Sequence, residues 1–280
     1  MEPCDLFHNC TGKVYLVGAG PGATDLITVR GLRILQTATV VLYDALIAPE
    51  LLEEASPAAE LVAVGKRGYC VGSTKQEHIN ELLVQYAHAG HTVCRLKGGD
   101  PFIFGRGGEE AEVLASAGIP YEIVPGVTSA LGACASAKIP LTHREAGQSV
   151  AFVTGHFDPD SPDCTLDWDA LSRLTTVVFY MAVRHVDKII ARLTDNGLSP
   201  TTPAAIIEAA TTPRERILDG TLADIVLRMT NAEIVGPALF IVGEPVRYRE
   251  QLLGIASASI SSVDSEYSPP STSLRVGDTR

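Results

Sequence analysis

The sequence predicts an α/β protein of two α/β domains, the first built on a mainly parallel sheet and the second on a mixed one. Three observations point there. Short apolar runs alternate with amphipathic helical stretches along most of the 280 residues, the order that folds as strands covered on both faces by helices. Between Pro125 and Gln148 the composition shifts to Ala, Gly, Ser and Thr, after which the alternation resumes. A glycine-rich loop, Leu96 to Glu110, follows one of the apolar runs, where open α/β sheets place their ligands.

In chain order, residues 1–12 read as an N-terminal extension and 13–125 as the first domain. Val14–Val17 is a strand running into Gly18-Ala19-Gly20-Pro21-Gly22. Thr24 or Asp25 then caps a helix to about Gln36, with Leu26, Ile27, Leu32 and Leu35 on its apolar side. Thr39–Tyr43 and Leu61–Val64 are strands, Glu77–Ala87 a helix, Thr92–Leu96 a strand, Ala111–Ala117 a helix and Tyr121–Val124 a strand. Residues 126–147 are expected as a linking helix and loop. The second domain, 148–250, shows strands Ser149–Thr154 and Thr176–Tyr180, helix Val186–Leu193, strands Ala204–Glu208 and Arg214–Leu218, helix Leu222–Arg228 and strand Ala238–Val242. From Gln251 the chain is Ser-rich, carries Pro269-Pro270 and lacks periodicity, so 251–280 is expected to be a disordered tail.

Composition excludes several function classes. With 46% hydrophobic and 20% charged residues the chain can bury a real core, and a net charge of −11 opposes nucleic acid and acidic membrane surfaces. No uncharged apolar run reaches the ~18–20 residues of a membrane span. The acidic start Met1-Glu2-Pro3-Cys4-Asp5 does not read as a signal peptide, which makes the expected location cytoplasmic. The six cysteines form no C-x-x-C pair, and His88 and His91 lack further ligands nearby, so neither a metal nor a disulfide framework is expected. The charge is uneven, however. Lys66, Arg67, Lys75, Arg95, Lys97, Arg106, Lys138, His143 and Arg144 fall in one middle section. Gathered around a cleft they would bind a small anion; scattered, they are ordinary solvated charges.

The loop from Leu96 to Glu110 carries five glycines. Gly98-Gly99 lets another molecule approach bare backbone, Asp100-Pro101 turns the chain outward, and Arg106 sits between glycines, a cation on a flexible arch. Gly18-x-Gly20-x-x-Ala23 after the first strand, with Asp44 ending the second, also imitates a dinucleotide fingerprint and leaves an NAD-dependent oxidoreductase as an alternative. Against it, Pro21 removes a backbone donor that pyrophosphate would need.

Val17-Gly18-Ala19-Gly20-Pro21-Gly22, Tyr43-Asp44-Ala45-Leu46, Gly65-Lys66-Arg67-Gly68, Gly98 to Glu110, Pro125-Gly126-Val127-Thr128 and Pro140-Leu141-Thr142-His143-Arg144-Glu145 occur in this order. Together, over roughly Lys13 to Arg249, they resemble the tetrapyrrole methylase family. Gly-Lys-Arg-Gly and Thr-His-Arg-Glu are most similar to members that methylate uroporphyrinogen III, and precorrin or diphthine methyltransferases of the same fold are the alternative. The resemblance implies a homodimeric two-domain methyltransferase with S-adenosylmethionine in the cleft between domains. Its reaction would methylate uroporphyrinogen III at C2 and C7, giving precorrin-2 via precorrin-1 for sirohaem or cobalamin. With the first strand near Lys13, later steps are expected to belong to other proteins.

Carried over motif by motif, the cofactor residues would be Pro21, Gly98, Gly99, Asp100, Ile103, Thr128, Ser129, Met181 and Ala210. Ser129 and Ala210 stand where relatives often have alanine and glycine. Asp44 and Lys66 match the positions discussed as proton acceptor and donor. Chemically, Asp44 could instead hold a pyrrole N–H or serve as a turn residue, and Lys66 could bind a substrate carboxylate. The substrate bears eight carboxylates, and Arg67, Arg106 and Arg144 are the candidates to grip them with guanidinium forks.

Overall fold

The computed structural model describes residues 11–65 and 75–254. The first half builds β1 (Lys13–Gly18), α1 (Val29–Thr37), β2 (Val40–Tyr43), α2 (Pro49–Leu52), β3 (Glu60–Ala63), α3 (Gln76–His88), β4 (Thr92–Lys97), α4 (Gly107–Ser116) and β5 (Tyr121–Val124). Its five strands pair in the order β3-β2-β4-β1-β5, and every pair is parallel. Alternation on β1 and β4 explains the two layers of core. Val14, Leu16 and Val93 face α3 and α4, while Val17, Cys94 and Leu96 join Leu35 of α1 and Leu51 of α2 on the other face.

The second half continues with α5 (Ser129–Ser136), β6 (Ala151–Thr154), α6 (Trp168–Ser172), β7 (Thr176–Tyr180), α7 (Val186–Asp195), β8 (Pro203–Glu208), β9 (Arg216–Thr221), α8 (Ile225–Asn231) and β10 (Ala238–Gly243). The sheet order is β6-β7-β10-β8-β9. Only β6–β7 is parallel; β10 runs antiparallel to β7 and β8, and β9 to β8. Phe179, Phe240 and Ile206 face α7 and α8. On the opposite face Ala130, Ala133, Cys134 and Ala137 pack against Val178, Tyr180, Ala205 and Ile241, so the small-residue segment after Pro125 is a helix laid on the second sheet. Residues 248–254 are helical.

Helices α2 and α6 are additions to the sequence expectation, α4 begins at Gly107 rather than Ala111 and β6 at Ala151 rather than Ser149; three further differences have a local reason. The expected first helix splits into a turn at Thr24–Leu26 and α1, because Thr28 stays extended and its hydroxyl accepts the Gly31 N–H as the cap. Strand β9 begins at Arg216 rather than Arg214, since the Thr212 and Glu215 N–H groups close successive turns onto Ala209 and Thr212. Helix α8 begins at Ile225 because Asp224 accepts the N–H and hydroxyl of Thr221 and holds a turn before it. Among the described residues no helix is long and apolar enough to cross a membrane. Burial pushes the thiols of Cys94 and Cys134 up to about 12, which leaves them inert packing groups.

Two predictions follow from this packing. A Cβ at Gly126 would lie 2.2 Å from the Gly99 carbonyl oxygen, whereas one at Gly98 would meet only Leu46 Cβ at 3.9 Å. Gly126→Ala should therefore lose roughly 1–3 kcal/mol in thermal denaturation, as overpacked cores do, while Gly98→Ala melts like the parent; equal melting of the two would contradict the geometry. The second concerns Glu208, which ends β8. Burial would raise its pKa, but the Gly236 N–H, Arg216 and the Val235 N–H outweigh it and hold the carboxyl below its ordinary 4.5. A carboxylate held low stabilises the fold above its unfolded value, and that contribution disappears as pH falls through the folded one. Glu208→Gln should thus melt below the parent at neutral pH, with the gap closing in acid; a pH-independent gap would refute this.

Candidate active site at the carboxyl edge of the first sheet

From β1 the chain leaves toward β2, and from β4 it crosses β1 to reach β5. The crevice between the ends of β1 and β4 is therefore the switch point of the sheet, where open α/β sheets bind ligands. Glycine backbones close most of it. Ideal Cβ atoms on Gly18 and Gly126 would stand 2.6 and 2.2 Å from the Gly99 carbonyl oxygen. Gly20 and Gly99 form an isolated bridge, with N···O distances of 2.8 and 3.2 Å. Gly99 thus uses its amide and carbonyl on the protein itself. Gly98 does not: no backbone hydrogen bond joins it to a described residue, and the space where its side chain would stand is open.

The loop beyond Gly98 is a compact turn rather than a flexible arch. Asp100 pins it, one carboxylate oxygen accepting the Phe102 N–H at 2.8 Å and the other the Gly126 N–H at 3.0 Å. Gly107 donates to the Pro101 carbonyl at 3.0 Å and opens α4, so close to Pro101 that a Cβ would lie 2.4 Å from that oxygen. Ile103 and the two phenylalanines beside it are left exposed. Arg106 takes the left-handed conformation at the start of α4 and forks onto Glu109 at 2.8 and 2.6 Å, remaining exposed.

The second sheet reaches this edge through Tyr180. Its hydroxyl meets that of Thr128 at 2.7 Å and accepts the Ala130 N–H at 3.0 Å, and its ring lies 4.8 Å from that of Phe104. Burial raises its pKa, keeping the phenol neutral. Met181 follows with positive φ and an exposed side chain. Ser129 begins α5 within 3.6 Å of where a Gly99 Cβ would stand. Pro21 rests on Gly132 of α5, and the loop after β8 touches the first turn, with the Ala210 carbonyl against Gly22 and the Thr211 hydroxyl accepting the Ala23 N–H at 3.0 Å. Phe104, Arg106, Met181, Ala209 and Thr211 all have positive φ. Such strain gathers at functional sites.

Asp44, at the end of β2, pairs with Arg95 at 2.5 Å. Arg95 in turn shares Glu110 with Lys97, each at 3.0 Å. Burial opposes the Arg95 charge, but Asp44 and Glu110 outweigh it and raise its pKa; burial together with Arg95 lowers that of Lys97. Pro21, Gly98, Gly99, Asp100, Thr128, Ser129, Met181, Ala210 and Asp44 are thus connected around one edge, with Ile103 and Arg106 on its outer loop. Arg144 is elsewhere: its turn is closed by His143 and Gly147, and Gly147 packs on Thr175 and Thr176, at the opposite end of β7 from Met181. Lys66 and Arg67 lie outside the described residues.

Sequence reasoning missed Tyr180 and the burial and pairing of Arg95 and Lys97 with Glu110. The signal for the latter was available, since parallel strands buried on both faces read as continuous apolar runs and β4 carries Arg95 and Lys97 within its run. The edge combines a bare peptide at Gly98, apolar walls from Phe104 and Met181, a half-buried carboxylate and an exposed guanidinium. Such a set can hold a cationic, largely apolar ligand beside an anionic one.

Comparison with known proteins agrees with this geometry. Residues 13–226 match the model of the tetrapyrrole (corrin/porphyrin) methylases. The chain is 52% identical over 243 residues to a siroheme synthase of Pseudomonas fluorescens (strain Pf0-1), covering 86% of this chain and 52% of that protein. It spans about half the length of the curated relatives it matches. Uroporphyrin-III C-methyltransferase from Thermus thermophilus, solved with S-adenosyl homocysteine, superposes with a TM-score of 0.72 at 42% identity, covering 84% of this chain and 99% of that one. A cobalt precorrin-4 methyltransferase gives 0.74 at 29% identity, with 87% and 99% covered. The chain belongs to the tetrapyrrole methylase family.

Proposed function

We propose that this tetrapyrrole methylase transfers methyl groups from S-adenosylmethionine to C2 and C7 of uroporphyrinogen III, giving precorrin-2 by way of precorrin-1. The unpaired Gly98 peptide carries the proposal: beside Gly18, Gly99 and Gly126, whose backbones close on one another, Gly98 makes no backbone hydrogen bond to a described residue and has only Leu46 near the space of its missing side chain. The similarity to uroporphyrin-III C-methyltransferase supports the choice of substrate.

S-Adenosylmethionine supplies a methyl group already activated by its sulfonium, so holding the reactants in line and excluding water can provide much of the rate, up to ~7–11 kcal/mol. The Gly98 carbonyl would face the cation, Pro21, Gly99, Thr128, Ser129 and Ala210 would shape the pocket, and Ile103 and Met181 would cover it. Asp100 contributes indirectly, through the loop it pins. The nucleophile is an electron-rich pyrrole carbon, whose attack leaves a cationic ring that must lose a proton. Asp44 would take that proton or hold a pyrrole N–H. Lys66 is proposed as proton donor or carboxylate ligand. Arg106 binds substrate carboxylates by exchanging its exposed bond to Glu109; Arg67 is the remaining candidate, since Arg144 lies at the other end of β7. The working form is proposed to be a cytoplasmic homodimer, which a stable monomer in sedimentation would disprove.

Incubation with labelled S-adenosylmethionine and uroporphyrinogen III should yield a doubly methylated product. Folded protein that binds S-adenosylmethionine yet methylates only a later corrinoid would move the activity toward that of the precorrin-4 relative. Arg106→Ala should raise KM for uroporphyrinogen III about tenfold, the scale of one charge-assisted hydrogen bond; an unchanged KM removes Arg106 from the substrate site.

A further inference from the structure

Beneath the cleft lie four charges where an apolar core is expected. Arg95 and Lys97 alternate along β4 and are 3% and 2% exposed, and Glu110, which α4 lays over them, is fully buried. One Glu110 oxygen receives Arg95 Nε and Lys97 Nζ at 3.0 Å each and the Gln76 amide at 3.4 Å, while its other oxygen has no partner. Arg95 directs its remaining donors to the carbonyls of Leu42 and Leu96 and to Asp44. Asp44, at 29% side-chain exposure, is the one member open to the cleft.

Stability does not account for this set. Each buried ion loses several kcal/mol of hydration, and apolar replacements of buried ion pairs are often neutral or stabilising. An unpartnered carboxylate oxygen at Glu110 adds to the cost. What the charges do achieve is directional. The guanidinium is held at Nε by Glu110 and at Nη1 by two strand carbonyls, so Nη2 has a fixed direction, and Asp44 is at its end. Among the described residues no hydrogen bond reaches the second Asp44 oxygen.

We propose that Arg95, seated on Glu110, is a positioning residue that holds one oxygen of Asp44 and leaves the other for the substrate. The proposal rests on Asp44 being the group that takes the substrate's proton or holds its pyrrole N–H, as proposed above. Arg95 itself touches no substrate. Lys97 pairs with the same Glu110 oxygen as Arg95, so the two cations and two carboxylates of the set balance in formal charge.

A double-mutant cycle on methyl transfer tests it, with Asp44→Asn, Arg95→Met and the two combined. The combined variant keeps the net charge and leaves Glu110 paired with Lys97. If Arg95 acts through Asp44, Arg95→Met lowers kcat at least tenfold with KM for S-adenosylmethionine unchanged, Arg95→Lys recovers part of the loss, and the combined variant is no slower than Asp44→Asn. Losses that multiply in the combined variant would overturn it. Should Arg95→Met alone fail to fold, Asp44→Asn with and without Arg95→Met gives the same comparison. If the parent does not methylate uroporphyrinogen III, the functional proposal fails separately. Positioning is then read from crystal structures of the parent and Arg95→Met: an Asp44 side chain that leaves its rotamer supports it, and one that stays refutes it.

Discussion

Three peptide backbones touch at the carboxyl edge of the first sheet, those of Gly18, Gly99 and Gly126. A single methyl group on Gly18 or Gly126 would enter the Gly99 carbonyl. That contact draws the ends of β1, β4 and β5 together, and the rest of the site follows from it. With Gly99 bridged to Gly20, the chain turns outward at Asp100-Pro101, and the Asp100 carboxylate ties the turn to the Gly126 amide. The chain beyond Gly126 is then delivered to Thr128 and α5, which lie on the second sheet under Tyr180. The two sheets meet at the site because the glycines let the first sheet's loops pass through one point.

Polarity is layered around that point. Above it are exposed apolar side chains, Phe104 and Met181, and one accessible peptide, Gly98. Below it Lys97, Glu110 and Arg95 are charges out of reach of water, and Arg95 links them to Asp44, which opens to the cleft. A carboxylate so anchored cannot drift as ligands enter and leave. Preorganisation of this kind suits a reaction whose donor is already activated, where the protein supplies geometry more than chemistry.

The fold was largely legible in the sequence because it depends on periodicity. Thr176–Tyr180 and Tyr121–Val124 are strands at the expected residues, and the parallel and mixed sheets follow the spacing of their helices. Helix starts were less legible, since a side chain such as Thr28 or Asp224 decides them through one or two hydrogen bonds that periodicity does not register. The glycine-rich loop was recognisable as a site, but its glycines looked equivalent. Only their three-dimensional neighbours separate Gly98, which is open, from Gly99 and Gly107, which are sealed against backbone. Arg106 seemed mobile for the same reason, although Gly107 already belongs to α4. Arg95 and Lys97 registered only as part of an uneven charge distribution; their burial and pairing did not, because a cation in a strand has no visible partner until the fold brings Glu110 and Asp44 to it.

The central claim is that the methyl donor lies at the carboxyl edge of the first sheet, on the Gly98 peptide and beneath Met181. A crystal structure with S-adenosyl homocysteine tests it most directly. The ligand sulfur should lie against Gly98, with Asp44 facing the same cavity. Density for the ligand at another edge of either sheet, with Gly98 left bare, would contradict the account.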